Sequence, residues 1–146
     1  MFDKEFITRT PEETFELGKK FCSHVLKKAS KTKPKIGLSG GLGAGKTVFI
    51  KGFVSGLIHD PEVTSPTYTI MNDYSDTKNT IYHVDLYRIN SLDDLIGTGF
   101  FEAFEDPKTI MLLEWRERLP KPVDFTVDIR HLSDNERGIT ITKGVK

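Results

Sequence analysis

Gly40-Gly41-Leu42-Gly43-Ala44-Gly45-Lys46-Thr47 places glycines ahead of a lysine and a threonine in the G-x-x-x-x-G-K-[ST] spacing. Glycine has no Cβ, so such a backbone can turn through positive φ and approach a ligand closely. Successive N–H groups then converge as a nest for an anion. A helix beginning at the loop adds its own amides and the positive end of its dipole. Lys46 has the reach for β- and γ-phosphates, and the Thr47 hydroxyl suits Mg²⁺. The residues therefore point to a nucleotide phosphate site. That chemistry also needs a carboxylate for the ion and a group to orient an attacking water or acceptor. Two carboxylates end apolar segments: Asp85 follows Ile81-Tyr82-His83-Val84, and Glu114 follows Ile110-Met111-Leu112-Leu113. Residue type alone leaves open which one holds Mg²⁺ and which positions water. His83 alternates onto the same strand face as Asp85, where it could polarise that site, although a packed histidine is the simpler reading.

The loop needs a strand before it and a helix after it. Ile36-Gly37-Leu38 is a short apolar run, readable as a buried strand, and Ile50, Phe53, Val54 and Leu57 fall at i, i+3, i+4 and i+7, one face of a helix. Pro61, in His59-Asp60-Pro61-Glu62, marks the end of that helix. Upstream, Phe2 to Thr8 reads as a first strand. Thr10-Pro11-Glu12-Glu13 reads as a helix start, with Thr10 as N-cap, Pro11 at the first helical position and Glu13 closing a capping box. That helix turns Phe15, Leu17, Phe21, Cys22, Val25 and Leu26 inward and ends in the basic, solvated stretch Lys27 to Lys31. Cys22 lies on the apolar stripe and reads as core.

After the hydroxyl-rich Thr64-Ser65-Pro66-Thr67, Tyr68 to Met71 alternates as a strand. It pairs as a hairpin with Thr80 to Leu86 through the turn Asp76-Thr77-Lys78-Asn79. Ser91-Leu92-Asp93-Asp94 opens short helical pieces around Gly97 and Gly99 that end near Pro107. Thr109 to Leu113 is continuously apolar, as in a strand covered on both faces, and puts Glu114 at the carboxyl edge, where open α/β sheets bind ligands. Val123, Phe125, Val127 and Ile129 share one face of a further strand. The turn Ser133 to Gly138 and the alternating Ile139 to Thr142 close the chain as an antiparallel hairpin.

At 146 residues the chain is expected to form one domain, residues 1–146, able to bury about 68–70% of its unfolded surface. Its 21 basic and 21 acidic residues cancel, which argues against extensive direct nucleic-acid binding. Cys22 is the sole cysteine, so no intrachain disulfide forms and a reducing compartment fits. The N-terminus lacks the apolar core of a signal peptide, and no run approaches a membrane span. These features predict a cytoplasmic location.

Leu42-Gly43-Ala44-Gly45-Lys46-Thr47, Ser65-Pro66-Thr67-Tyr68-Thr69, His83-Val84-Asp85-Leu86-Tyr87-Arg88 and Leu113-Glu114-Trp115, in that order, resemble the TsaE (formerly YjeE) family. With the helix start at Thr10, the resemblance spans most of the chain. These are small ATPases of the bacterial machinery that makes threonylcarbamoyladenosine in tRNA. The resemblance implies a single-domain α/β phosphate-loop NTPase fold, its central sheet mixed, partly antiparallel and flanked by helices. It implies ATP and Mg²⁺ as cofactors, weak hydrolysis alone, and association with TsaB and TsaD, with tRNA reached through that complex. By position it implies that Gly43, Ala44, Gly45, Lys46, Thr47, Val48, Thr67 and Trp115 bind the nucleotide and that Thr47 with Glu114 holds Mg²⁺. Asp85, Glu114 and Lys46 are then the catalytic set, with Asp85 as the Walker B-position carboxylate and Ser65-Pro66-Thr67 as a switch-like loop. Many family members carry an acidic residue where this chain has Gly41. That difference predicts a more flexible loop and bears on the hydrolysis rate.

Two other classes fit less well. Asp94-Leu95-Ile96-Gly97 matches the D-x-x-G of a GTPase-like switch, yet no Asn-Lys-x-Asp segment follows, and Asp94 has a simpler role closing the Ser91 capping box. A small phosphate-loop kinase would need a basic lid. The chain has six arginines, of which Arg116 and Arg118 beside Trp115 are the ones sequence places near the site.

Overall fold

The structure, a computed structural model, describes residues 1–26, 32–41, 43–58, 71–87, 89–114 and 121–144. In chain order the elements are β1 (Glu5–Thr8), α1 (Pro11–Leu26), β2 (Lys35–Ser39), α2 (Lys46–Ser55), β3 (Met71–Asp73), β4 (Thr80–Asp85), a 3₁₀ turn (Leu92–Leu95), α3 (Phe100–Glu105), β5 (Thr109–Glu114), β6 (Phe125–His131) and β7 (Arg137–Lys143). The described strands form one seven-stranded sheet in the order β1-β7-β6-β2-β5-β4-β3. β2 lies parallel between β5 and β6, and β4 is parallel to β5. The β3–β4, β6–β7 and β1–β7 pairs are antiparallel. The mixed α/β architecture expected from the sequence is the one observed.

The alternation of side chains along the strands sorts the core into two layers. Ile36, Leu38, Ile81, Ile110, Leu112, Val127 and Ile129 face the layer built by α1 and α2, with Phe21, Phe49, Ile50 and Phe53. Val84, Met111 and Leu113 face the other layer, with Leu95 and Phe100. All of β5 is buried, as its unbroken apolar run requires. The same alternation carries His83, Asp85 and Glu114 onto the α1/α2 face, directly beyond Ile81 and Leu112.

Among the described residues no helix is long and apolar enough to cross a membrane. Cys22 is 1% exposed, and burial pushes its thiol up to about 12. Lys35 ties the opposite end of the sheet: its Nζ donates to the carbonyls of Asp106 (3.0 Å) and Thr109 (2.5 Å). Burial, foremost, lowers its pKa, against the upward pull of Asp124, Asp106 and Glu105.

Several local expectations shift. β1 starts at Glu5 rather than Phe2, because Asp3 takes a positive φ of 61°. The Thr10 hydroxyl accepts the Glu13 N–H as expected (3.1 Å), but the Glu13 carboxylate reaches back to the Arg9 N–H (2.9 Å), one residue upstream of the N-cap. Phe15 is half-buried, and Thr14 and Gly18 take the inward positions beside Leu17. α2 stops at Ser55, where Gly56 and Leu57 switch to i→i+3 bonds onto Phe53 and Val54 (3.1 and 3.0 Å). Leu57 packs half-buried past the helix end. Val123 belongs to the α3-side core and not to the face of Val127 and Ile129. The chain turns at Asp124, whose N–H donates to the Lys35 carbonyl (2.8 Å), so β6 begins only at Phe125. Lys27–Lys31, His59–Glu62 and Tyr68–Ile70 lie outside the described residues.

The α1–α2 contact is close enough to be backbone on backbone. A Cβ at Gly18 would sit 2.2 Å from the Phe49 carbonyl oxygen, and one at Gly52 would sit 1.9 Å from that of Phe15. Gly52→Ala must push the helices apart. It is expected to cost at least about 2 kcal/mol, or about 4–8 °C in Tm for a domain of this size. Calorimetric unfolding checks this; an unchanged Tm would mean the helices are not held at this distance.

Candidate functional site

β2 ends at Ser39 and α2 begins at Lys46, so the glycine loop must reverse the chain at the carboxyl edge of a central strand. Gly40, Gly43 and Gly45 do so with φ of 147°, 75° and 102°. At Gly40 there is also no room: a Cβ would lie 2.5 Å from the Ile129 carbonyl oxygen. Gly41 has neither constraint. Its φ is ordinary and a Cβ there would meet nothing within 4 Å, so the fold accepts a side chain at that position.

Gly45 is the N-cap of α2, and the helical ladder opens with Phe49 N–H donating to the Gly45 carbonyl (3.1 Å). The amides of Lys46, Thr47 and Val48 precede that first bond and form the helix start. Lys46 is 7% exposed. Its side chain folds back over the loop, where Nζ donates to the carbonyls of Gly40 (2.6 Å) and Gly41 (3.0 Å). The ammonium is thus held against the first two glycines of the loop.

Behind the loop stands Arg137, the first residue of β7. Its Nε donates to the Ala44 carbonyl (3.0 Å) and its Nη2 to that of Gly43 (3.3 Å). Nη1 donates to the carbonyls of Ser133 (2.8 Å), Asp134 (3.3 Å) and Glu136 (2.9 Å). One guanidinium thereby joins the loop to the β6–β7 turn. A peptide unit is planar, with C=O and N–H opposed. Holding the Ala44 carbonyl outward therefore turns the Gly45 N–H away from Arg137. Beside this contact lies a cavity of about 60 Å³ lined by Pro11, Thr14, Gly45, Val48, Asp134, Asn135 and Arg137.

Asp85 and Glu114 are register partners at the ends of β4 and β5, and Glu114 is also opposite Leu38 of β2. Both strand-end carboxylates thus come to the edge from which the loop departs. Their surroundings differ. Asp85 is half-buried, and its Oδ1 accepts the Tyr87 N–H (2.9 Å), a local turn. Glu114 is 4% exposed, and its Oε2 meets Nε2 of the fully buried His83 at 2.5 Å.

The structure therefore brings together Gly43, Ala44, Gly45, Lys46, Thr47 and Val48 with Asp85 and Glu114. Thr67 and Trp115 lie outside the described residues, as do Leu42, the rest of Ser65–Thr69, Arg88, Arg116 and Arg118. Asp94 takes the simpler of its two roles: its carboxylate accepts the N–H groups of Asn90 (2.8 Å) and Ser91 (3.4 Å). Arg137 was not legible as a site residue, because its position behind the loop depends on β6 pairing with β2. The His83 spacing was visible in the sequence; its cross-strand partner was not.

Chemically, the arrangement is a cationic, amide-bearing mouth with a buried carboxylate beside it, suited to a polyanion accompanied by a hard cation. If Arg137 holds the loop, Arg137→Met should speed amide exchange at Ala44–Val48 by about tenfold or more, the loss of one or two charge-assisted bonds. Amides of β5 should be unaffected. Hydrogen-exchange mass spectrometry reads both; equal protection in the variant would show that the loop is rigid without it.

Comparison with known proteins gives a consistent family. The family model described as threonylcarbamoyl adenosine biosynthesis protein TsaE matches residues 8–139. The chain is 37% identical over 142 residues to the tRNA threonylcarbamoyladenosine biosynthesis protein TsaE of Aquifex aeolicus, covering 94% of this chain and 95% of that one. It is 37% identical over 139 residues to the protein of the same name from Bacillus subtilis, covering 92% and 82%. The crystal structure of Bacillus subtilis YdiB matches with a TM-score of 0.66 at 33% identity, over 95% of this chain and 84% of that one.

Proposed function

The chain belongs to the TsaE family, and on that premise we propose that it is a Mg²⁺-dependent, weakly hydrolysing ATPase that drives threonylcarbamoyladenosine formation in tRNA with TsaB and TsaD. The observation that carries this reading is the glycine loop. Three left-handed glycines deliver the start of α2 and the Lys46 ammonium to one point at the sheet edge, beside a buried carboxylate.

The loop amides and the α2 dipole bind the β- and γ-phosphates. Lys46 exchanges its bonds to the Gly40 and Gly41 carbonyls for phosphate oxygens. The donor set also fits a hard cation, since the Thr47 hydroxyl stands in the first turn of α2 and the Glu114 carboxylate lies at the adjoining strand end. When bound there, Mg²⁺ would neutralise charge developing on the phosphates. Asp85, the more accessible carboxylate, is left to orient the attacking water. By family resemblance, Thr67 and Trp115 complete the nucleotide site, and residues 65–69 act as the segment that responds to nucleotide.

Slow turnover alone has a physical reason. Fast phosphoryl transfer needs a cation on the transferring group beyond the loop lysine, and among the described residues the arginine that touches the loop, Arg137, is engaged with loop and turn carbonyls. Docking to TsaB–TsaD would supply or order such a cation. A cytoplasmic setting fits the lone buried thiol of Cys22, and the balanced net charge fits tRNA contact through the complex.

Purified protein should hydrolyse Mg-ATP slowly, and the rate should rise sharply when the host's TsaB–TsaD pair is added. No response to the pair, with ATP binding confirmed, would reject the subunit role and leave only the nucleotide site. Lys46→Ala should weaken ATP binding by about 10–100-fold, the loss of a charged hydrogen-bond donor. Glu114→Ala should suppress turnover in the complex more than it lowers Tm. Unimpaired hydrolysis in that variant would transfer the metal role to Asp85.

A further inference from the structure

Glu114 is held unevenly. Its Oε2 lies 2.5 Å from His83 Nε2, whereas Oε1 accepts no hydrogen bond from any described residue. β4 and β5 are parallel, with His83 opposite Leu112 and Asp85 opposite Glu114. The imidazole therefore reaches diagonally along one face to the strand-end carboxylate. It is fully buried, and the Tyr74 ring stacks near it at 6.4 Å between centroids. A carboxylate only accepts, so it is Nε2 that carries a proton and donates it to Oε2. Among the described residues, the buried Nδ1 has no hydrogen-bond partner. A histidine serving packing alone would normally satisfy both ring nitrogens. Here the described residues give Nδ1 none, and Nε2 is committed to Glu114.

We propose that His83 is a positioning residue that makes Glu114 a one-oxygen ligand and so selects Mg²⁺ over Ca²⁺ at the nucleotide site. This rests on the nucleotide reading above. Mg²⁺ demands a compact octahedral shell and takes carboxylates through single oxygens, while Ca²⁺ accepts larger shells and two oxygens of one carboxylate. With Oε2 tied to Nε2, only Oε1 is available, and the backbone of a strand buried on both faces keeps it in place. Removing the imidazole donor frees Oε2 and allows the two-oxygen mode. Hydrogen-bond partners of ligating carboxylates commonly tune metal affinity by about 10–100-fold.

The test measures binding of a non-hydrolysable ATP analogue by calorimetry in EDTA, in Mg²⁺ and in Ca²⁺. It uses the wild-type chain and the variants His83→Leu, His83→Asn and His83→Gln. Glutamine places its amide near the position of Nε2 and retains the donor; asparagine places it near Nδ1 and does not. In the wild type, Mg²⁺ should strengthen binding more than Ca²⁺ does. His83→Leu and His83→Asn should lower the Mg²⁺-to-Ca²⁺ preference by about tenfold while leaving EDTA affinity within about twofold, and His83→Gln should restore the preference. Should the leucine variant fail to fold, the asparagine and glutamine pair still decides the matter. An unchanged preference in His83→Asn, or an equal fall with all three media, would overturn the proposal. A wild type that binds no nucleotide under any condition would instead overturn the nucleotide reading itself, and the proposal with it.

Discussion

A strand covered on both faces and a helix that packs back across it have to be joined by six residues, Gly40–Gly45, at the carboxyl edge of the sheet. The geometry of that joint constrains everything near the site. β2 must stay between β5 and β6 for its apolar residues to be buried, and α2 must return over it so that Ile50 and Phe53 meet the same core layer as Ile36 and Leu38. The loop then passes so close to β6 that only glycine fits at residue 40. The left-handed cap at Gly45 aims the first turn of α2 at the opening. An L-residue with a side chain resists these conformations. The fold thus imposes glycines that the proposed anion site would also use.

The edge has support from two further directions. Arg137 grips the loop from behind, through carbonyls that no side-chain pattern advertises. On the other side, β5 carries Glu114 in register with both Leu38 and Asp85, so the carboxylates cannot move independently of the strand that bears the loop. The two carboxylates were equivalent as residues, but burial separates them. Glu114 is enclosed and tied to His83, whereas Asp85 is half-buried and closes its own turn onto Tyr87.

Much of this was legible in the sequence because it follows from local rules. The strand–loop–helix unit, the Thr10 helix start, the two hairpins and the buried run before Glu114 all express short-range periodicity or turn chemistry. The departures came from backbone geometry at Asp3 and at the end of α2, and from one tertiary contact. β1 was shortened by Asp3, α2 ended before Pro61, and Val123 crossed to the other core because Asp124 pairs with Lys35. Gly41 looked like part of the glycine requirement, yet nothing in the fold demands it. Arg137 could not be assigned, since nothing in residues 133–138 says that their turn will lie against a loop more than ninety residues earlier.

The central claim is that this edge binds polyphosphate, with the nucleoside secondary. Titration calorimetry in Mg²⁺ with adenosine, ADP and a non-hydrolysable ATP analogue tests it directly. The account predicts that affinity rises by about a hundredfold or more once phosphates are present, through the helix start and Lys46. Adenosine binding as tightly as the ATP analogue would contradict it, and would place the source of affinity away from the glycine loop.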